Sequence, residues 1–221
     1  MIINIAIDGP AGAGKSTIAK RASKELGFIY VDTGALYRTV GLNVLRQGKD
    51  TKNPDDVIPT LEGVDISLRF VNGEQRVFLG EEDVSEAIRQ NEVSMAASNV
   101  SAIPAVREFL FSLQRDIAEK NNCIMDGRDI GTVVLPDAKI KIFLTASARA
   151  RADRRYKELV EKGQDVDYDS ILADIEQRDY QDSHREIAPL KQADDAVLVD
   201  TTELDLEGSI EYMLRVIKER L

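Results

Sequence analysis

The chain has 221 residues, 39 acidic against 29 basic, a net charge of −10 at pH 7, one histidine and one cysteine. Such a length supports one sizeable core with room for a small insertion beside it. The acidity argues against a nucleic acid duplex as partner, and a lone histidine with a lone cysteine leaves too few ligands for a zinc site. No run of eighteen apolar residues is long enough to span a membrane. The N-terminus opens on a strand pattern with no basic segment ahead of an apolar one, which argues against a signal peptide. Cys123 has no partner for an internal disulfide and sits beside Ile124 and Met125, so the expectation is a reducing, cytoplasmic compartment.

Taken in order, residues 2–7 are an apolar strand pattern. They run straight into Gly9-Pro10-Ala11-Gly12-Ala13-Gly14-Lys15-Ser16, followed by Thr17 and a helix-forming stretch over 18–24. This is a complete G-x-x-x-x-G-K-[ST] phosphate loop in the strand–loop–helix context that gives the motif its meaning. The glycines let successive backbone N–H groups curl inward onto phosphate oxygens, and the helix start adds its positive dipole end. Lys15 brings an ammonium to the outer phosphates. A hydroxyl from Ser16 or Thr17 is placed to ligand Mg²⁺, and the sequence leaves open which. The expectation is a nucleotide triphosphate site.

A second strand pattern over 28–31 leads into Asp32-Thr33-Gly34 and a helix carrying Tyr37 and Arg38. Arg38 suits a bidentate grip on an acceptor phosphate, although an isolated arginine is more often a solvated surface residue. The interval 49–103 breaks the strand–helix alternation. Residues 65–71 and 75–79 flank Asn72-Gly73, a strong hairpin signal, and short polar helices are predicted over 83–89 and 92–100. Pro104 then starts a helix over 105–119, striped by Val106, Phe109, Leu110, Leu113 and Ile117.

The strand pattern at 123–125 runs into Asp126-Gly127-Arg128-Asp129. Ligands of doubly wound sheets bind at the carboxyl ends of strands, so two acids and an arginine there are well placed. After a strand over 140–144, Arg149, Arg151, Arg154 and Arg155 cluster on one helix, with Arg151 and Arg155 four apart on one face. Their repulsion points to a polyphosphate partner, and the competing reading pairs them with Asp153, Glu158 and Glu161 on a solvated helix. A strand over 196–199 and a helix over 206–220 close the chain. The pattern predicts an α/β fold with a parallel sheet and a small α+β insertion.

A phosphate loop alone leaves several classes open. A GTPase switch protein carries Asn-Lys-x-Asp, and no asparagine here is followed by lysine; Asp205-Leu206-Glu207-Gly208 falls in a helix start. Small-molecule kinases remain. They need an acceptor pocket, a carboxylate near the metal and a positively charged lid, and each has candidates here.

With these pieces in place, the chain resembles the bacterial cytidylate kinase family nearly end to end. The resemblance runs through 9–17, Asp32-Thr33-Gly34-Ala35-Leu36-Tyr37-Arg38, Asp126-Gly127-Arg128-Asp129-Ile130-Gly131-Thr132 and Arg178-Asp179-Tyr180-Gln181-Asp182-Ser183-His184-Arg185. It implies transfer of the ATP γ-phosphate to CMP or dCMP with Mg²⁺, on a five-stranded parallel sheet of order 2-3-1-4-5. It further implies one kinase domain with a core over 1–48, 104–148 and 186–221, a CMP-binding insertion over 49–103 and a helical lid over 149–185. Gly9 through Thr17, with Arg151 and Arg155 of the arginine cluster, are the candidates for binding ATP, and Lys15, Arg128, Arg151 and Arg155 for supplying catalytic charge. The resemblance assigns the acceptor residues. Thr33, Tyr37, Arg38, Arg128 and Arg185 go to the acceptor's phosphate and sugar side, Arg178 and Asp182 to the ribose, and Ser98, Arg107 and Asp129 to the cytosine. A carboxylate and a hydroxyl accept from the cytosine amine and repel the uracil oxygen. Asp126 is the candidate for the metal's water shell, and His184 reads as a surface residue near a lid hinge. Thr33 departs from the serine of many members, keeping the hydroxyl and adding a methyl. A monomer that binds neither nucleic acid nor membrane is expected. The rivals are a kinase of another small acceptor, such as UMP or shikimate, and a nucleotide-binding regulatory module without turnover.

Overall fold

The computed structural model describes residues 2–71 and 74–221. The chain runs β1 (Asn4–Asp8), α1 (Lys15–Leu26), β2 (Ile29–Asp32), α2 (Thr33–Arg46), α3 (Pro54–Val57), a 3₁₀ turn Ile58–Leu61, β3 (Ile66–Val71), β4 (Glu74–Leu79), β5 (Glu82–Asp83) and a 3₁₀ turn Ala87–Arg89. It continues through α4 (Asn91–Val100), α5 (Pro104–Lys120), β6 (Cys123–Gly127), a π-type turn Ile130–Val134, β7 (Ile140–Thr145), α6 (Ala148–Glu161), α7 (Tyr168–His184), β8 (Val197–Asp200) and α8 (Leu206–Lys218). Among the described residues one sheet has five strands in the order β2-β6-β1-β7-β8, which is the expected 2-3-1-4-5 once the hairpin strands are left out of the count. The pairings of β1 with β6, β1 with β7 and β7 with β8 are parallel.

The chain forms two compact units, Ile3–Phe28 with Cys123–Leu221, and Ile29–Asn122. In the first, apolar runs explain the strands: Ile5, Ile7, Ile124, Met125, Ile142 and Leu144 are fully buried, each worth about 1.5–3 kcal/mol. The predicted stripe of α8 buries Ile210, Met213, Leu214 and Ile217. Register then does the functional work. Asp8 of β1 lies opposite Gly127 of β6 and Phe143 of β7, so the segments that follow these three strands leave the sheet at one edge. Those segments are the glycine loop, the turn with Arg128 and Asp129, and the approach to α6.

In the second unit α2, α4 and α5 pack Leu36, Val40, Val44, Val100, Val106 and Leu110 into one core with Ile66 and Val77 of the hairpin. Gly41 is needed there: a Cβ on it would stand 2.9 Å from Ala96 Cβ and 3.0 Å from Ala97 N, so α2 and α4 meet nearly backbone to backbone. β3, β4 and β5 form a small antiparallel sheet, as the hairpin signal predicts, with Ile66 opposite Leu79. Asn72-Gly73, the turn that carried the signal, lies outside the described residues.

One element differs from its sequence pattern. The helix predicted over 83–89 is a strand end followed by a 3₁₀ turn. Val84 N donates to Val77 O (2.9 Å) and prolongs the ladder, while Asp83 Oδ1 accepts from Ser85 N (3.0 Å) and closes a local turn. An aspartate offering its own side chain to the backbone competes with a helix there. Among the described residues no helix is long and apolar enough to cross a membrane.

Candidate active site

The glycine loop joins buried β1 to α1, and its shape is dictated by contact. Gly9 has φ +155°, and a Cβ on it would sit 1.9 Å from Leu144 O, so no other residue fits. Gly12 and Gly14 also have positive φ, and Gly14 caps α1 in the left-handed conformation. Pro10, Ala11 and Ala13 are buried in the loop wall. Lys15 is buried too, and its Nζ donates to Gly9 O and Pro10 O at 2.8 Å each. Burial and the neighbouring Arg128 charge push its ammonium well below the ordinary lysine range, against the pull of Asp126, Asp182 and Asp8. An ammonium so destabilised gains strongly when anionic phosphate arrives.

Ser16 and Thr17 open α1, both exposed, and Ser16 Oγ donates to Asp126 Oδ2 at 3.2 Å. A hydroxyl and a carboxylate side by side at the loop suit a small hard cation that takes its other oxygens from water and phosphate. Among the described residues no group of three or more His, Cys, Asp or Glu is placed to hold a metal.

The acceptor candidates of this unit are joined by ion pairs. Arg128, just past β6, donates Nε to Asp182 Oδ2 of α7 at 2.6 Å. Burial disfavours the Arg128 charge, but Asp182, Asp126 and Asp8 outweigh it and hold the guanidinium above its usual range. Asp182 is held below the usual carboxylate range because Arg128, Arg185 and Arg178 overcome its burial. Arg185 and Asp129 lie 3.5 Å apart, both less than a tenth exposed. Arg185 also donates Nε to Ala188 O at 2.7 Å, and Ala188 adopts φ +47° to turn the chain back after α7. Arg178 and Asp182 stand one helical turn apart on α7. His184 ends that helix exposed, stacked on Tyr180 at 4.1 Å.

The arginines of α6 divide. Arg151 is 3 % exposed; its Nε donates to Ala146 O (2.9 Å), its Nη1 to Ala11 O of the glycine loop (2.9 Å), and both terminal nitrogens to Asp179 of α7. Arg155, on the same face, pairs with Glu158 at 2.9 Å in a half-exposed setting. Arg154 donates to Thr201 O and Leu204 O. The repulsion read from the sequence is therefore compensated, by Glu158 as the competing reading had it and by Asp179, which no spacing rule singled out.

The second unit places its candidates on three helices. Thr33 is the buried first residue of α2, with Tyr37 and Arg38 one turn on. Asp32 caps that helix through Ala35 N (3.0 Å) and pairs with Arg38 Nη2 (2.7 Å), and Gly34 leaves the guanidinium room. Arg107 of α5 lies over the Tyr37 ring at 5.7 Å and reaches Ser101 O at 3.4 Å. Ser98 is half-buried on the last turns of α4, which the Gly41 contact draws against α2.

Comparison with known proteins settles the family. The family described as cytidylate kinase matches residues 5–219. The chain belongs to the cytidylate kinase family. A cytidylate kinase of Caldicellulosiruptor saccharolyticus is 53% identical over 97% of this chain and 95% of its own length. One of Streptococcus pyogenes serotype M5 is 51% identical over 96% and 94%. Among solved structures, a shikimate kinase from Bacteroides thetaiotaomicron superposes with TM-score 0.50 at 14% identity, covering 99% of this chain and 98% of that one, a likeness of fold alone.

Two residues of this family member escaped the sequence. Asp179 lies inside the 178–185 run but only the fold sets it against Arg151. Asp8, directly before the loop, reads as a strand end, yet its buried carboxylate accepts from Ile130 N at 2.6 Å and Gly131 N at 2.7 Å. Burial pushes its carboxyl up to about 6 against those two bonds, and the Asp129 charge adds to the rise. An acid immediately ahead of a phosphate loop, where repulsion from phosphate is a cost, is the signal that was there to be read.

Proposed function

We propose that this member of the family transfers the ATP γ-phosphate to CMP or dCMP, with the glycine loop as donor site and the arginines around Asp129 and Asp182 as part of the acceptor site. The observation that carries this reading is the double ion pair Arg128–Asp182 and Arg185–Asp129, which collects two guanidinium groups and the carboxylate assigned to cytosine where β6 leaves the sheet. Thr33, Tyr37, Arg38, Ser98 and Arg107 are the acceptor residues we assign to the other unit. Asp129 and Ser98 select cytosine by accepting from its amine.

The nucleophile is an ionised phosphate oxygen of the acceptor, so no side chain need take a proton. That oxygen bonds to the γ-phosphorus as the bond to the ADP oxygen breaks, and the chain's task is alignment and charge neutralisation. Lys15 leaves the Gly9 and Pro10 carbonyls for the outer phosphates, Arg128 turns from Asp182 to the transferring group, and Arg155 exchanges Glu158 for phosphate. Arg151 acts through its hold on Ala11 O, which keeps the donor loop in shape. Bound Mg²⁺ would neutralise phosphate charge, with Ser16 Oγ and, through water, Asp126 as the protein oxygens nearest to hand. Residues 149–185 act as a lid that excludes water, because the same alignment would otherwise hydrolyse ATP.

The test is a coupled assay across acceptors with ATP and Mg²⁺. CMP and dCMP are expected to turn over well and UMP more slowly. Turnover of shikimate, or UMP used as well as CMP, would contradict the assignment.

A further inference from the structure

Between β6 and β7 lies the π-type turn Ile130–Val134, and its opening needs a cap from somewhere. The first N–H groups of a helical turn have no partner within it. Asp129 stands at the N-cap position yet contributes no side-chain cap bond, and its carboxylate faces Arg185 instead. The cap comes from another strand: Asp8 Oδ1 takes Ile130 N and Oδ2 takes Gly131 N, at 2.6 and 2.7 Å. Gly131 is fitted to this. A Cβ on it would stand 3.3 Å from Asp8 Oδ2 and 3.2 Å from the Lys141 stem, and Lys141 is itself held by Asp195 at 2.9 Å. Asp8 is only 4 % exposed, and the Lys15 ammonium bonds to loop carbonyls rather than to it. Its two acceptor oxygens are both committed to the turn.

We infer that Asp8 is a positioning residue for the acceptor: by capping the 130–134 turn from the neighbouring strand, it fixes where Arg128 and Asp129 stand. The inference rests on the reading that those two residues serve CMP. It makes one carboxylate the link between the first residue of the phosphate loop and the turn that reads the base.

Asp8→Asn tests this because it keeps the shape and one acceptor while setting an amide donor against a backbone donor. The expected result is a KM for CMP raised about tenfold and a CMP-over-UMP ratio of kcat/KM lowered about tenfold, with the KM for ATP changed less than twofold. The Asp8→Asn, Asp129→Ala double variant should show the ratio of Asp129→Ala alone, since one effect acts through the other. Gly131→Ala approaches the same contact from the turn side and should also raise the KM for CMP, which covers the case of an Asp8 variant that does not fold. A folded Asp8→Asn enzyme with wild-type KM for CMP and wild-type ratio, beside an Asp129→Ala enzyme whose ratio has moved, would overturn the inference. Should Asp129→Ala leave the ratio unmoved, the base-reading assignment falls instead, and an unchanged KM for CMP in Asp8→Asn is then what overturns the role of Asp8.

Discussion

The glycine loop and the Arg128–Asp182 region leave the same sheet edge but are held by opposite means. In the loop the curve is set locally: glycines at 9, 12 and 14 shape it and Lys15 satisfies carbonyls five and six residues away, with Arg151 of α6 bracing Ala11 O from a distance. Around Arg128 the ion pairs are distant, joining residues 54 and 56 apart in the chain. The loop is a backbone cradle awaiting anions. The other region is already neutralised by its own carboxylates, which on the proposed reading the acceptor displaces. One region is built to receive charge, the other to exchange it.

That contrast can be broken in several ways. The largest effect is expected from Lys15→Ala, which removes the single mobile cation of the loop; kcat should fall about a thousandfold, read in the coupled assay with CMP, and a loss under tenfold would deny Lys15 its role. Next, Asp129→Ala and Ser98→Ala should each narrow the preference for CMP over UMP by about 1–3 kcal/mol in the ratio of kcat/KM values. Unchanged ratios in both would mean that backbone groups read the base. Arg155→Ala should lower kcat about tenfold with little change in CMP affinity if, as proposed, it exchanges its bond to Glu158 for phosphate on closure. A comparison of stability rather than rate separates the two α6 arginines by thermal melting. Arg151→Ala should cost about 2 kcal/mol, since it strands Asp179 and two carbonyls, whereas Arg155→Ala should stay within about 0.5 kcal/mol. Equal melting temperatures would mean that the bonds of Arg151 do not hold the fold together.

The same contrast explains what was legible in the sequence. The curve of the loop and its lysine could be read because spacing carries their physics, and the buried strands and the α8 stripe could be read from apolar periodicity. The partnership of Arg151 with Asp179 could not, since the charges around 151 offered nearer acids at 153, 158 and 161 and only the crossing of α6 with α7 selects among them. Asp8 hid for a similar reason. Its two backbone partners lie 122 and 123 residues away, and backbone N–H groups leave no trace in a sequence. Ser98 and Arg107 would pass as ordinary helix residues without the family resemblance, because the close approach that sets α4 on α2 depends on a glycine at 41 whose role appears only in three dimensions. The short helix predicted over 83–89 failed where Asp83 turned its carboxylate onto its own backbone.

The separation of a donor cradle from an acceptor clamp is tested most directly by titrating CMP into Lys15→Ala by calorimetry, without ATP. CMP affinity within about twofold of wild type is expected if the Lys15 ammonium serves the donor phosphates alone. A loss of CMP affinity as large as the loss of turnover would contradict it and make the two regions one site.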